Sequence, residues 1–286
     1  MSRITGRRVR LAAAAVAALS IALVGCSAQP ASTDADGGSL VYLDAEIPTS
    51  AQVQESGTWQ TRALQQNITD RLLYRNPDTN QLEPWIAESW TVSPDGLTYT
   101  FVIRDGVTYS DGTDLDASSV AKNLEWQSAG DEAVGTTPNA QFPSGLAATA
   151  DDASRTVTVT LPEPYAPFLN VLTGWGSGLV ADATIDASKE DQSKFVNLIG
   201  SGPFVVTSET YGKEIVLERR DGYAWAPESS PNQGEAHLAQ VTVIPVQEDS
   251  VRLGTLTSGE ADVIRYVQPS DCLLYTSPSP RDVEES

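Results

Sequence analysis

The chain has 286 residues, of which 38 are acidic and 18 basic, giving a formal net charge of −20. An excess of carboxylates cannot neutralise phosphates, which excludes nucleic acid as a partner and fits a protein kept soluble in an exposed compartment. The length allows one large domain or two smaller ones, and 40% hydrophobic residues are enough to bury a core.

Arg3, Arg7, Arg8 and Arg10 precede an apolar run from Leu11 to Val24 that ends at Gly25-Cys26. The run is shorter than the roughly 20 residues a helix needs to cross a bilayer, so residues 1–25 read as a secretory signal peptide. Leu23-Val24-Gly25-Cys26 resembles the lipobox of bacterial lipoproteins. That resemblance implies a diacylglycerol on the Cys26 thiol, cleavage just before it and an extracytoplasmic location at the cell membrane. Arg7-Arg8 has a loose twin-arginine look, but paired arginines are ordinary in a basic leader. With Cys26 committed to lipid, Cys272 stands alone and no internal disulfide is expected. Residues 26–39 are mostly Ala, Ser, Thr, Asp and Gly, a composition that has little to bury and reads as a flexible linker.

The folded part is predicted to begin with a short strand from Leu40 to Leu43. From Trp59 to Asn76, Leu64, Ile68 and Leu72 fall on one helical face, and Asn76-Pro77 stops the predicted helix. A hairpin follows: Ser89 to Ser93, a turn at Pro94-Asp95-Gly96, then Leu97, Tyr99, Phe101 and Ile103 alternating with Thr98, Thr100, Val102 and Arg104. Asp105-Gly106 and Asp111-Gly112 supply turns, and Asp116 is a candidate N-cap for a helix carrying Val120 and Leu124. Val157, Val159 and Leu161 alternate with threonines in a half-buried strand, a pattern repeated at Ile215 to Leu217 and Val241 to Val243. Ser250 is a candidate cap for a helix through Leu253 and Leu256 that ends at Gly259. Helices and strands are mixed, with hairpins in place of the longer crossovers of βαβ units. The expected fold class is α+β, or mixed α/β, without internal repeats.

Several segments together resemble one family, the family-5 extracellular solute-binding proteins that serve peptide and nickel ABC importers. Leu82-Glu83-Pro84-Trp85-Ile86-Ala87-Glu88-Ser89-Trp90 is similar to the family's signature, and Pro94 to Phe101, Ile103 to Val107 and Ser110 to Thr113 follow in its order. Leu161 to Leu169 resembles its strand-to-helix turn, Ser201-Gly202-Pro203-Phe204 its glycine-rich turn before a strand, and Gly259-Glu260-Ala261-Asp262-Val263 the turn closing the first lobe's contribution. Val216 to Tyr223 departs from the pattern, with Asp221-Gly222 where the family has Asn-Pro and Arg220 added. The resemblance implies a periplasmic-binding-protein-like first lobe at 40–270 without a second. It also implies a monomer that captures a small solute, peptide in class by the family's habit, for a membrane ABC permease. The motifs themselves are scaffold and do not name the ligand. Trp59 is placed where the family's first lobe meets ligand, Phe142 in the loop after the second helix, and Trp175 on a flexible glycine-flanked loop; ordinary packing is the competing role for each. Trp85, Trp90 and Trp126 are assigned to core. Residues 271–286, with Cys272, two Ser-Pro steps and no periodicity, read as a non-native tail.

An enzyme is the rival class, for example a secreted hydrolase using paired carboxylates, but no acid pair stands out among so many. The single histidine, His237, lies in a polar stretch, and Gly176-Ser177-Gly178 lacks the spacing of a nucleophile elbow. Asp111, Asp114 and Asp116 lack the spacing of a calcium loop, so neither metal nor cofactor is expected.

Overall fold

The computed structural model describes residues 37–55 and 57–269, so the signal peptide, Cys26, most of the linker and the tail from 271 lie outside the described residues. The chain enters as β1 (Ser39–Asp44), makes a 3-10 turn at Val53–Glu55 and forms α1 (Trp59–Ile68). Thr58 caps α1, its hydroxyl accepting from Thr61 N at 3.4 Å. β2 (Leu73–Arg75) and β3 (Leu82–Pro84) make a small antiparallel pair. β4 (Ala87–Val92) and β5 (Thr98–Ile103) form the expected hairpin, whose turn holds Gly96 at φ +70°. α2 (Ala117–Ala129) starts at Asp116, whose carboxylate accepts from Ser119 N at 2.8 Å. β6 (Ala147–Asp151) and β7 (Thr156–Thr160) complete an antiparallel sheet of order β4-β5-β7-β6.

Three single-turn helices follow, α3 (Phe168–Val171), α4 (Asp182–Ile185) and α5 (Lys189–Gln192). The chain then runs through β8 (Phe204–Thr210), β9 (Glu214–Arg219), β10 (Gln240–Pro245), α6 (Asp249–Ser258) and β11 (Val263–Ile264). Their sheet has the order β11-β1-β10-β9-β8, with β1 parallel to both neighbours and the other pairs antiparallel. The architecture is therefore mixed α/β, and it is not assembled from hairpins alone. β10-α6-β11 is a parallel crossover with β1 inserted between its strands, a pairing that no local pattern announces.

Alternation on β5 and β7 turns Tyr99, Phe101, Ile103, Val157 and Val159 inward, where they meet Val120 and Leu124 of α2 in the larger core. Full burial of such a side chain contributes roughly 1.5–3 kcal/mol. A second core lies between α1 and the five-stranded sheet, joining Leu64 and Ile68 to Phe204, Val206, Leu217 and Val243. Trp85 and Trp126 are buried and Trp90 packs half-buried against the larger core, as assigned from sequence. Among the described residues no helix is long and apolar enough to cross a membrane.

Two expected boundaries are corrected. The first helix stops at Ile68 instead of running to Asn76, because Thr69 is extended (φ −122°, ψ 140°) and its hydroxyl donates to Gln65 O at 2.9 Å. Leu72 then enters the larger core while Leu64 and Ile68 stay in the smaller one, so a helical spacing linked residues of two different cores. Ser250 does not cap α6: Glu248 holds that position without a side-chain cap bond, and Ser250 lies inside the helix. Gly259 ends α6 at φ 79°, as expected. The glycine-rich turn before β8 has a steric cause. A Cβ on Gly202 would sit 2.6 Å from Ile68 C, and the Gly202 N–H donates to Ile68 O at 2.8 Å, seating β8 against the end of α1.

Candidate functional site

The first turn of α1 carries Trp59 outward, and the residue is 47% exposed. Across from it Trp175 opens a 3-10 turn, Trp175–Ser177, and the two rings meet edge to face at 4.6 Å with an interplanar angle of 80°. Edge-to-face contact sets the positive rim of one ring against the negative face of the other and contributes about 0.5–1.5 kcal/mol beyond burial. The turn under Trp175 is firmly held, in contrast to the flexible loop expected from its glycines. Gln127 Nε2 and Asn139 Nδ2, both buried, donate to Gly176 O at 3.1 and 2.9 Å, and Ser177 Oγ donates to Gly174 O at 2.7 Å. Gly178 lets this turn close on α1, since a Cβ there would lie 2.2 Å from Thr69 Oγ1.

Three further residues join the pair that sequence reasoning did not single out. Arg62, one turn along α1, stands over the Trp175 ring at 5.6 Å from its centroid. Arg265, just after β11, stands over Trp59 at 5.3 Å and over Tyr266 at 4.4 Å. Tyr266 is 47% exposed and adopts φ +58°, a left-handed conformation that costs a non-glycine residue about 1–2 kcal/mol. Its backbone is clamped by Arg252, which is almost wholly buried. Arg252 donates to the carbonyls of Val246 (2.6 Å), Gln247 (2.9 Å), Arg265 (3.0 Å) and Tyr266 (3.0 Å), and it pairs with Asp249. Trp59 and Arg62 are three residues apart on α1 and so share a face, a relation local spacing carries; nothing local links either to residues 265 and 266.

Phe142 is not with this group. It is 7% exposed within the larger core, while Gln141 beside it lines a cavity of about 210 Å3 with Arg62, Gly174, Trp175 and Gly176. The side chains of 141 and 142 part at the turn after Asn139, whose Oδ1 accepts from Gln141 N at 3.0 Å.

A buried ionic cluster lies past the other end of α1. Asp70 is fully buried and accepts from Trp225 Nε1 at 2.8 Å and from Tyr223 OH at 3.3 Å. Burial raises its carboxyl from 3.8 to about 6, against the lowering effect of those bonds and of neighbouring Arg71. Burial likewise raises the Tyr223 hydroxyl and lowers Arg71. Arg71 stacks on Trp85 at 4.9 Å and Arg220 on Trp225 at 4.9 Å. The cluster fastens the 220–225 segment across the end of α1, with its charge turned inward. Among the described residues no group of three or more His, Cys, Asp or Glu is placed to hold a metal ion.

Residues 81–282 match the model of the bacterial extracellular solute-binding proteins, family 5 Middle. The glutathione-binding protein GsiB of Escherichia coli O1:K1 is 30% identical over 181 residues, covering 63% of this chain and 33% of that protein. Among solved structures, a substrate binding protein from Microbacterium hydrocarbonoxydans complexed with 4-hydroxybenzoate hydrazide is 26% identical with a TM-score of 0.69, covering 84% of this chain and 48% of that one. The periplasmic binding protein DppA from Helicobacter pylori, in complex with the peptide STSA, is 25% identical with a TM-score of 0.70, covering 85% and 49%. The chain thus spans about a third of the curated relative and about half of the solved chains. A family match over most of the chain, on a mixed α/β frame shared with solved binding proteins, makes it a member of the family-5 bacterial extracellular solute-binding proteins.

Proposed function

We propose that this chain belongs to the solute-capturing component of an ABC importer, held outside the cytoplasmic membrane by a lipid on Cys26. It takes up peptides or similar small solutes and delivers them to a membrane permease, with residues 40–270 as its first lobe. The observation that carries this reading is the Trp59–Trp175 pair, an aromatic surface beside a cavity, with Trp59 exposed and Trp175 half-buried on a hydrogen-bonded turn. Such rings offer contact area at low entropic cost, as ligand-facing residues do. The relatives support the solute class, one being named for glutathione and another solved with a short peptide. Phe142 serves this surface only through the core that backs it.

The test is Trp59→Ala with glutathione and the peptide STSA as probes. Binding should weaken about tenfold or more, as for a central interface aromatic, while unfolding free energy changes by about 1 kcal/mol or less. A large loss of stability with binding unchanged would make Trp59 a packing residue and remove the proposal's support.

A further inference from the structure

β9 and β10 are antiparallel neighbours, yet the chain between them, residues 220–239, is irregular throughout and far longer than the roughly two to five residues of a hairpin loop. Its first part sinks Tyr223, Trp225 and Ala226 into the larger core, while Asp221, Glu228, Ser229 and Gln233 stay exposed. The polar tips of both aromatic anchors meet one group. Tyr223 OH donates to Asp70 Oδ1 at 3.3 Å and Trp225 Nε1 to Asp70 Oδ2 at 2.8 Å, with a second bond from Trp225 Nε1 to Ser201 O at 3.1 Å. Asp70 also belongs to the wall of a cavity of about 220 Å3, shared with Gln66, Trp85, Tyr223, Pro227 and Asn232. Outward movement of the loop would therefore bring water to a carboxyl that is fully buried when the loop is in place.

The charged and titratable groups facing Asp70 are Arg71, next to it in the chain, and Arg220 and Tyr223 from the loop. Arg220 in turn faces Asp111 and donates through Nη2 to Thr108 Oγ1 and Tyr109 O. At the base of the loop Glu235 lies 3.7 Å from Arg219 Nε and accepts from Gly222 N at 2.7 Å, and Glu83 on β3 accepts from Ser229 Oγ. Burial outweighs the bonds from Trp225 and Tyr223 and the pull of Arg71, and holds the Asp70 carboxyl at about 6.

We infer that residues 220–236 are a strap gated by the protonation of Asp70, shut over the end of α1 while the carboxyl keeps its proton and released into solvent more often once the proton leaves. An opened strap returns Asp70 to water and to its ordinary 3.8, so the shut form binds the proton more tightly. The advantage of the shut form is complete below about pH 4 and is lost as the pH rises through 6, and between about pH 5 and 7.5 the open fraction should rise about tenfold.

Hydrogen exchange followed by mass spectrometry at about pH 5 and about pH 7.5 tests this, with each rate compared with its intrinsic value so that only opening is read. Peptides spanning 220–236 should open at a lower free energy than the amides of β5 and β7, and their protection should fall about tenfold across the range. In Asp70→Asn the protection of the strap should stay level; should that variant not fold, the profile of the native chain decides. Exchange of the strap in step with β5 and β7 at both pH values would show that it opens only with the whole lobe, and would overturn the inference. So would a strap that opens separately with its protection unchanged by pH, or one whose protection falls equally in Asp70→Asn.

Discussion

Replacing Asp70 with asparagine should change the way stability depends on pH. The native carboxyl titrates near 6 in the folded protein against an ordinary 3.8, because burial outweighs its bonds to Trp225 and Tyr223. A shift of about two units corresponds to about 3 kcal/mol. Because the folded value is the higher one, the folded state binds the proton more tightly. The stability this group contributes is complete below about pH 4 and is lost as the pH rises through 6. Between about pH 4.5 and 7.5 the native protein should lose about 2 kcal/mol through this group alone, since the unfolded carboxyl is already mostly ionised at the lower limit. The amide of the Asp70→Asn variant cannot titrate, so the difference between the two proteins isolates the effect from every other ionising group. Urea unfolding followed by tryptophan fluorescence across that range gives the measurement, and Trp225 lies against the site. Parallel pH profiles for the two proteins would refute the argument that burial governs Asp70.

Cys26→Ala should move the protein from the membrane to the soluble fraction, because two acyl chains anchor where one is marginal; unchanged fractionation would remove the lipid anchor. Arg252→Met should cost about 2–3 kcal/mol in urea unfolding, because the carbonyls of Val246, Gln247, Arg265 and Tyr266 lose the guanidinium that satisfies them. A loss below about 1 kcal/mol would show that water replaces the guanidinium at its carbonyl partners.

Where a local pattern had a local cause, the sequence was enough. The hairpin from Ala87 to Ile103 was legible because period-two alternation and a Pro-Asp-Gly turn both act within a few residues, and the same holds for Asp116 and Gly259 at helix ends. The end of α1 was not, because Leu72 keeps the helical spacing while its packing partners lie in another core. The candidate site was half legible. Trp59 and Trp175 stood out singly, one at a helix start and one among glycines, but their contact depends on tertiary closure. Arg265 and Tyr266 reach them only because β11 pairs with β1, and Phe142 differs from Gln141 by a single step around a turn.

The position of β1 inside its sheet also bears on when the molecule can fold. Val41 N donates to Asp262 Oδ2, 221 positions away, and Ser39 to Asp44 align with Gln240 to Pro245. Closing a loop of that length costs about 2.5–3 kcal/mol more entropy than closing a hairpin of about ten residues. The five-stranded sheet therefore has no centre until nearly the whole described chain is present, and its assembly is a late, slow event set by contact order. For a chain exported through the membrane, as proposed, this delay keeps the leading segment unpaired while the rest is still threading outward, and the lobe locks only when Val263 and Ile264 arrive to flank the first strand.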